Sequence, residues 1–359
     1  MGRADGMNYA PAGKPKPVVN SGEFFFAAMY LDHGHINGMC NGLTEAGAVL
    51  KYVYDTDRER GEAFASRYPE AVFVESEDII LNDDSISLVA AAAITSKRCE
   101  VGLRCMDAGK DYFTDKAPFT TLEQLEMAVE KVKSTGKKYM VYYSERLHVE
   151  SAIYAGNLIK NGAIGKVINV MGLGPHRIGN PESRPAWFFE KESYGGILCD
   201  IGSHQIEQYL YYADVKSAEV TYSRVANYNH SKYPGLEDFG DAMLTGDNGA
   251  TNYFRVDWFT PNGLSSWGDG RTIILGTKGY IELRKYVNIG VEDNTGDNLI
   301  LVDETGEHFI KCKDTVGYPF FGELILDCIN RTENAMTQEH AFLAARLCLE
   351  CELKAERIE

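Results

Sequence analysis

Two side chains four positions apart, Asp200 and His204, are the clearest candidates for chemistry in this 359-residue sequence. They close the segment 195–204, which reads Gly-Gly-Ile-Leu-Cys-Asp-Ile-Gly-Ser-His. On a helix, positions i and i+4 share one face, so a carboxylate and an imidazole can converge on one point, and histidine is the commonest general acid or base. The residues alone leave two other interpretations open: an aspartate that caps the following helix, and a buried structural histidine.

A lysine and a glycine-containing turn in the first half of the chain are further candidates. Lys116 lies in the segment 115–118 (Asp-Lys-Ala-Pro), directly after a predicted strand; taken alone, such a lysine is more often a surface residue. The turn 31–38 lies between a predicted strand and a predicted helix, and Asp55 follows roughly 20 residues later, which is the order of a dinucleotide site. Because the turn lacks a complete G-x-G-x-x-G, a tight turn without a ligand is the alternative.

Short apolar runs alternate with helical segments from Phe24 to Tyr143, and these elements would position the lysine and the turn. Alternation of this kind predicts β-α-β units, a parallel sheet covered on both faces, and a doubly wound Rossmann domain. The predicted strands are 24–30, 50–55, 87–93, 111–114 and 138–143, and the predicted helices are 34–48, 58–67, 96–108 and 122–135.

Strands dominate after Ser144, and a short helix is predicted after His204. The sequences Asp-Asn-Gly at 247–249 and Thr-Lys-Gly at 277–279 are hairpin turns, so the second half is predicted to be an α+β domain with a largely antiparallel open sheet. The predicted domain limits are 1–23 for a flexible tail, 24–145 for the Rossmann domain, 146–335 for the α+β domain, and 336–359 for a C-terminal helix that packs back on the body.

Composition excludes several classes of partner. The formal net charge of −16 argues against nucleic acid, which needs a basic face, and against an anionic membrane surface. No stretch has the length and apolarity of a membrane span. The eight dispersed cysteines indicate reduced structural thiols and a cytoplasmic protein. Cys348 and Cys351 form one C-x-x-C without a second pair, so no metal is predicted, and His33 and His35 are expected to cap the turn or face solvent.

These motifs together resemble the Gfo/Idh/MocA family (glucose–fructose oxidoreductase, inositol dehydrogenase, rhizopine catabolism), and the resemblance covers essentially everything from Phe24 to the end. In that family an acidic-Lys-Pro motif ends the fifth strand, and Gly-Gly-x-x-x-Asp-x-Gly-x-His supplies an aspartate and a histidine. The resemblance implies that Lys116, Asp200 and His204 are catalytic. His204 would exchange a proton with the substrate hydroxyl, Asp200 would orient the imidazole, and Lys116 would stabilise negative charge on the reacting oxygen.

The turn and the resemblance also predict which residues line the cofactor and the substrate. The Asp55 carboxylate would accept hydrogen bonds from the hydroxyls of the adenosine ribose and would repel a 2′-phosphate, so NAD is the expected cofactor. Arg58 lies nearby and leaves NADP as the alternative. The predicted cofactor-binding residues are Asp32, His33, Gly34, His35, Asp55, Arg58, Ala93, Ile94, Thr95, Asp115, Lys116 and Glu145. The predicted substrate-binding residues are Lys116, Arg146, His176, Arg184, Trp187, Asp200 and His204.

Two departures separate this chain from the family pattern. Ala117 stands where a proline usually follows the lysine, often through a cis bond, and Pro118 comes one position later. The turn keeps only Gly34 and Gly38. The sequence therefore leaves open which backbone conformation Lys116 adopts and which groups of the turn would contact a pyrophosphate.

The expected function is NAD(P)-dependent transfer of a hydride to or from a secondary alcohol of a sugar, polyol or cyclitol. A second interpretation is an enzyme that uses tightly held NAD to cleave glycosidic bonds by transient oxidation, and a third is a non-catalytic, nucleotide-binding regulatory protein. An antiparallel sheet in the second domain leaves an apolar face to cover, so a homodimer or homotetramer is expected.

Overall fold

The computed structural model describes residues 15–358, which form two compact units. The first unit comprises 15–142 and 317–342, and the second comprises 143–316 and 343–358. The structure thus groups residues 317–342 with the first unit, whereas the sequence prediction assigned the chain up to 335 to the second domain. Of the predicted tail, residues 1–14 lie outside the described residues. Within the remainder, the amide of Val18 donates to the carbonyl of Ala46 at 2.9 Å.

The first unit is built on a six-stranded parallel sheet. Its strands are β1 (Phe25–Met29), β2 (Val49–Tyr54), β3 (Val72–Phe73), β4 (Ile86–Ala91), β5 (Asp111–Asp115) and β6 (Tyr139–Tyr142). The order is β3-β2-β1-β4-β5-β6, and every neighbouring pair is parallel. The order reverses beside β1, and doubly wound sheets bind ligands at such a switch point. The predicted Rossmann class is confirmed.

The second unit is built on a nine-stranded, mostly antiparallel sheet. Its strands are β7 (Val167–Pro175), β8 (Ala218–Ala226), β9 (Phe239–Gly246), β10 (Thr251–Asp257), β11 (Arg271–Gly276), β12 (Gly279–Arg284), β13 (Asn298–Asp303), β14 (Gly306–Lys311) and β15 (Glu356–Ile358). The order is β14-β13-β12-β11-β7-β10-β9-β8-β15, in which only β7–β10 and β8–β15 are parallel. The predicted α+β class and both predicted hairpins, β9–β10 and β11–β12, are confirmed.

Helices pack on these sheets within each unit. They are α1 (Ile36–Glu45), α2 (Arg58–Ala65), α3 (Glu77–Leu81), α4 (Thr95–Asp107), α5 (Leu122–Thr135), α6 (Ser144–Leu147), α7 (Glu150–Lys160), α8 (Lys191–Tyr194), α9 (Ile197–Asp200), α10 (Gly202–Ala213), α11 (Pro319–Asn330) and α12 (Gln338–Lys354). Among the described residues, none of these helices is long and apolar enough to cross a membrane.

Several elements escaped the sequence prediction for physical reasons. Strand β3 has two residues, too few for an alternating pattern. Helix α11 is apolar nearly all round, so it lacks the polar stripe that marks a surface helix. The hairpin β13–β14 was not predicted either. The prediction that a short helix begins after His204 is wrong, because α10 begins at Gly202 and contains the histidine.

Helix α10, which carries His204, lies close against strand β7. Both Gly172 and Gly174 on β7 leave room for the Gln205 side chain: a Cβ on Gly172 would overlap its amide oxygen, and one on Gly174 would lie 2.9 Å from its amide nitrogen. The glycines thus allow the amide of Gln205 to fill the space between the helix and the strand.

Candidate active site

The turn between β1 and α1 has the features of an anion-binding helix start. Helix α1 has His35 at its N-cap without a side-chain cap, and no acidic residue lies in its first turn. Gly38 lies so close to the sheet that a Cβ there would be 2.8 Å from the hydroxyl of Tyr142. Amides at a helix start favour a phosphate, and a glycine that allows close helix–strand packing belongs to the dinucleotide fingerprint. The residues present therefore fit a dinucleotide, although the glycine pattern is incomplete.

Asp55, at the end of β2, is buried and accepts from four protein donors. The amides of Leu31 and Asp57 lie 2.7 Å from its two carboxylate oxygens, and Arg60 approaches both oxygens at 3.1 and 2.7 Å. Arg60 also pairs with Asp32 at 2.9 Å. A carboxylate has about four acceptor positions, so all of those on Asp55 are occupied, and its contact with a ribose stays a prediction.

Arg60, which the sequence reasoning passed over, therefore replaces Arg58 as the cation beside Asp55. Arg58 is 63% exposed and pairs with Glu62 at 2.8 Å and with Glu75. The signal in the sequence was the helical phase of α2, because a residue two positions beyond Arg58 faces a different side of the helix.

The segment that follows β4 runs beside the turn. The amide of His33 donates to the carbonyl of Ala92 at 3.0 Å. Ala93 and Thr95 are buried, Ile94 is the N-cap residue of α4, and Thr95 begins that helix. The structure thus brings this predicted cofactor segment next to the turn.

Asp115, at the end of β5, binds both histidines of the turn. Its Oδ2 lies 2.8 Å from Nδ1 of His33, and its Oδ1 lies 2.9 Å from Nδ1 of His35. Both histidines are buried, so the expectation that they face solvent is wrong. The amide of His35 lies 3.3 Å from Nδ1 of His33, which agrees with the alternative that they cap the turn. The amide of Lys116 donates to Oδ1 at 2.8 Å, and Arg98 reaches Oδ2 at 3.2 Å.

Arg98 holds the backbone around Lys116, and the sequence reasoning missed it. It is fully buried and donates to the carbonyls of Ala93 at 2.7 Å and Ala117 at 2.9 Å, and to that of Lys116. The peptide bond between Lys116 and Ala117 is cis, although no proline follows the lysine.

The ionisation states of this group follow from burial and charge. Burial lowers the pKa of His33 to about 4, against the opposing effect of Asp115. Burial opposes ionisation of Asp115, but His35, His33 and Arg98 hold the pKa of its carboxyl well below its usual range. Since His33 is neutral at pH 7, Arg98 and the hydrogen-bond donors keep Asp115 charged there.

In the second unit, two glycines and two glutamates shape the start of the motif 195–204. Gly195 and Gly196 both have φ of +92°. Helix α9 has no side-chain cap of its own. Instead, the amide of Ile197 donates to Glu237 at 3.0 Å and that of Leu198 donates to Glu352 at 2.7 Å. These buried carboxyl groups cap the short helix that ends at Asp200.

The structure excludes one of the alternative interpretations of the motif. The N-cap residue of α10 is Ile201, without a side-chain cap, so Asp200 is not the cap of the following helix. Asp200 is half-buried, and His204 is 2% exposed in the first turn of α10. The carbonyl of His204 accepts from Gln208 at 2.7 Å, which fixes the helix at this point.

Glu145 lies in a buried charged group of the second unit. Its Oε2 accepts from Lys285 at 3.0 Å and from Gln205 at 3.1 Å, and its Oε1 lies 3.9 Å from Nε2 of His176. Burial raises the pKa of Glu145, but Lys285, His204 and His176 outweigh it and lower the pKa to about 2. Glu145 is therefore a fixed anion near the predicted base, and Lys285 is a residue that sequence reasoning missed.

Arg146, predicted to bind substrate, is engaged within the protein. Its guanidinium forms a forked pair with Glu207, with Nε 2.7 and 2.9 Å from the two oxygens, and lies 3.9 Å from the ring centre of Tyr211. Both members of the ion pair are buried. A substrate contact of Arg146 stays a prediction.

The other predicted substrate residues lie among aromatic side chains. His176 lies 5.5 and 4.4 Å from the ring centres of Trp258 and Trp267. Arg184 donates to the carbonyls of Ile178 and Arg177 at 2.6 and 3.0 Å. Trp187 is half-buried, beside the buried Phe188. The two further tryptophans were missed because they lie in the segment that follows β10, far from the motif in sequence.

Two family descriptions match the chain. "Oxidoreductase family, NAD-binding Rossmann fold" matches residues 30–143, which contain the turn and Lys116. "GFO/IDH/MocA C-terminal domain" matches residues 153–282, which contain Asp200 and His204.

Known proteins resemble the chain at several levels of identity. An oxidoreductase structure from Erwinia carotovora atroseptica is 49% identical with a TM-score of 0.90, covering 94% of this chain and 100% of that one. The scyllo-inositol 2-dehydrogenase (NAD(+)) of Bacillus subtilis (strain 168) is 29% identical over 66% of each chain, so the match spans just under two thirds of that relative. Levoglucosan dehydrogenase with NADH and levoglucosan has a TM-score of 0.77 at 18% identity, covering 92% and 96%, which shows the fold alone.

Proposed function

Because the chain belongs to the GFO/IDH/MocA family of oxidoreductases, we propose that it transfers a hydride between NAD and a secondary alcohol of a sugar, polyol or cyclitol. The observation that carries the proposal is the complete set Lys116, Asp200 and His204, each inside a segment that matches the family. The named relative of Bacillus subtilis supports the substrate class, since scyllo-inositol is a polyhydroxylated ring.

His204 is the proposed proton acceptor in the oxidation of the alcohol. A base must be neutral before it accepts a proton and must tolerate the positive charge afterwards. The ionised Glu145 stabilises that positive charge, because its carboxylate interacts with the His204 imidazole through the buried interior of the second unit. Asp200, four positions earlier, is the proposed orienting carboxylate.

Lys116 is the proposed donor to the reacting oxygen. An ammonium that donates a hydrogen bond stabilises negative charge as it develops on that oxygen. The lysine backbone is held on both sides, by Asp115 at its amide and by Arg98 at its carbonyl. NAD, when bound, supplies the hydride acceptor, and the amides at the start of α1 are the proposed holders of its pyrophosphate.

The first experiment is a titration with NAD and NADP followed by a screen of sugars, polyols and cyclitols for NADH formation. We expect Lys116→Ala and His204→Ala to lower kcat at least about 100-fold, with NAD affinity retained in His204→Ala. Lys133→Ala and His308→Ala are matched controls, since Lys133 is exposed, His308 is half-buried, and neither belongs to a predicted site.

Full turnover of Lys116→Ala or His204→Ala would remove the assignment of the catalytic residues. Release of a sugar without net NADH would instead identify the glycosidase-like chemistry. Absence of binding of either nucleotide would remove the dehydrogenase proposal altogether and leave a non-catalytic scaffold that keeps the fold and binds a partner.

We also propose self-association through the outer face of the nine-stranded sheet. Large apolar side chains on this face are 37–43% exposed, and a second copy of the chain would cover them. They are Met171, Met243, Ile273, Leu275 and Tyr280. Light scattering should give a dimer or tetramer mass that Met243→Glu reduces, and a monomer mass for the unaltered protein would contradict the proposal.

A cytoplasmic location is part of the same proposal. All eight cysteines are buried and free, so none of them is used as a disulfide, and free thiols are typical of a reducing compartment. Fractionation of the native cells should place the protein with the cytoplasmic markers, and recovery from another compartment would contradict this location.

A further inference from the structure

Each oxygen of the Asp115 carboxylate accepts one hydrogen bond from a histidine of the turn. Each also accepts a second one, from the amide of Lys116 or from the side chain of Arg98. Oδ1 receives Nδ1 of His35 at 2.9 Å and the amide of Lys116 at 2.8 Å. Oδ2 receives Nδ1 of His33 at 2.8 Å and Arg98 at 3.2 Å. The carboxylate therefore joins two segments of the first unit that are 80 residues apart in sequence.

Arg98 extends this connection to the other side of the lysine. The same guanidinium that binds Oδ2 donates to the carbonyls of Lys116 and Ala117. Lys116 thus has its amide fixed by Asp115 and its carbonyl fixed by Arg98. Since its two backbone groups are held, the direction in which its side chain leaves the backbone depends on where Asp115 lies.

The same three side chains meet the geometric minimum for a metal site. Ligand atoms of His33, His35 and Asp115 lie within 4.8 Å of one another. The chemistry favours hydrogen bonds, because an ionised carboxylate only accepts, so the Nδ1 of His35 that faces it carries a proton that a metal would have to displace. In addition, Arg98 places a positive charge on the same carboxylate, which opposes a second cation.

We infer that Asp115 is a positioning residue that couples the cofactor turn to Lys116 through His33 and His35. This inference rests on the proposed function for the roles of the turn and of the lysine. A nucleotide bound at the turn moves His33 and His35. The two histidines fix the position of the Asp115 carboxylate, and the carboxylate in turn fixes the backbone of Lys116. Coupling of this kind is reciprocal, so damage at the lysine end also changes nucleotide affinity.

The test measures Lys116 directly, in protein without nucleotide. The rate at which an amine-acylating reagent modifies Lys116 is read by peptide mass spectrometry, with exposed Lys133 as the internal reference. We expect His33→Ala, His35→Ala and Asp115→Asn each to change that rate about tenfold, the effect of losing one hydrogen bond to a charged group. Asn37→Ala is the matched control, because its amide donates to Gly34 in the same turn and does not reach Asp115.

Kinetics and binding complete the test at saturating NAD and substrate. His35→Ala should lower kcat about tenfold, whereas Lys133→Ala, which alters an exposed residue outside every predicted site, should leave kcat unchanged. Asp115→Glu, which keeps the charge, should restore most of the activity that Asp115→Asn loses. Thermal unfolding of each variant identifies any that fail to fold, and the single histidine variants then carry the test.

The outcomes separate the inference from the proposed function. If the unaltered protein shows no turnover, the proposed function is overturned. The acylation rates of Lys116 still test the coupling in that case. Unchanged acylation of Lys116 in both histidine variants overturns the inference. So does one equivalent of zinc in the purified protein that is lost in His35→Ala, because these residues would then be metal ligands.

Discussion

Gly196 has a backbone conformation and an environment that we expect to tolerate no side chain. Its φ of +92° and ψ of 159° lie in a region that is essentially confined to glycine. A Cβ there would also overlap the carboxyl group of Glu352, which accepts from the amide of Leu198. The backbone term costs about 1–3 kcal/mol, and losing the bond to a buried amide costs a further 1–3 kcal/mol or so. Gly196→Ala should therefore lower the free energy of unfolding by about 2–6 kcal/mol.

Urea denaturation measures this difference, and the second unit offers a matched control. Gly162 has φ of +81°, and a Cβ added to it would have no other atom within 4 Å, so Gly162→Ala should cost only about 1 kcal/mol. The double variant Gly196→Ala with Glu352→Ala should lose less free energy of unfolding than the two single variants added together, because the added Cβ no longer overlaps a carboxyl group. If Gly196→Ala and Gly162→Ala are equally stable, the steric reasoning about Glu352 is refuted.

Three further predictions follow from the charged groups. Burial raises the pKa of Glu352 to about 8, so between pH 4.5 and about 8 the folded state keeps a proton that the unfolded chain loses. The free energy of unfolding therefore falls as the pH rises through this range. Glu352→Gln should flatten this part of the profile when urea denaturation is measured against pH. Lys285→Met should destabilise the protein by about 3–5 kcal/mol in urea, and adding Glu145→Gln should restore part of it, since an unpaired buried carboxylate causes the loss. Arg60→Ala should weaken NADP binding more than NAD binding in calorimetry, because it leaves two aspartates uncompensated; an equal effect of Arg58→Ala would contradict this.

The fold was predictable because the signals that define it are local. Alternating apolar runs and helices between Phe24 and Tyr143 indicated the parallel sheet, and glycine-containing turns indicated the hairpins of the second sheet. The motif 195–204 was readable for the same reason, since its residues are adjacent in sequence. Even there the start of α10 was misplaced, because the residue before the helix, Ile201, has no capping side chain that would mark its beginning.

The connections around the predicted site were not predictable because they join distant residues. Glu145 meets Lys285 across 140 positions, and His35 meets Asp115 across 80. Spacing in a single sequence carries no record of such pairs. Arg60 is different: it lies only five positions from Asp55, and the phase of α2 could have identified it.

The division of the chain has a consequence for dissection of the molecule. The polypeptide leaves the first unit at 142 and returns to it for residues 317–342. On that return, Phe321 fills the space above Gly42, and the Gln338 amide pairs with both backbone groups of Tyr139 on the edge strand β6, at 2.7 and 3.0 Å. A fragment ended at 142 would expose that edge and open that space, so a separately expressed nucleotide-binding module must include the returning segment, spliced on by a short linker.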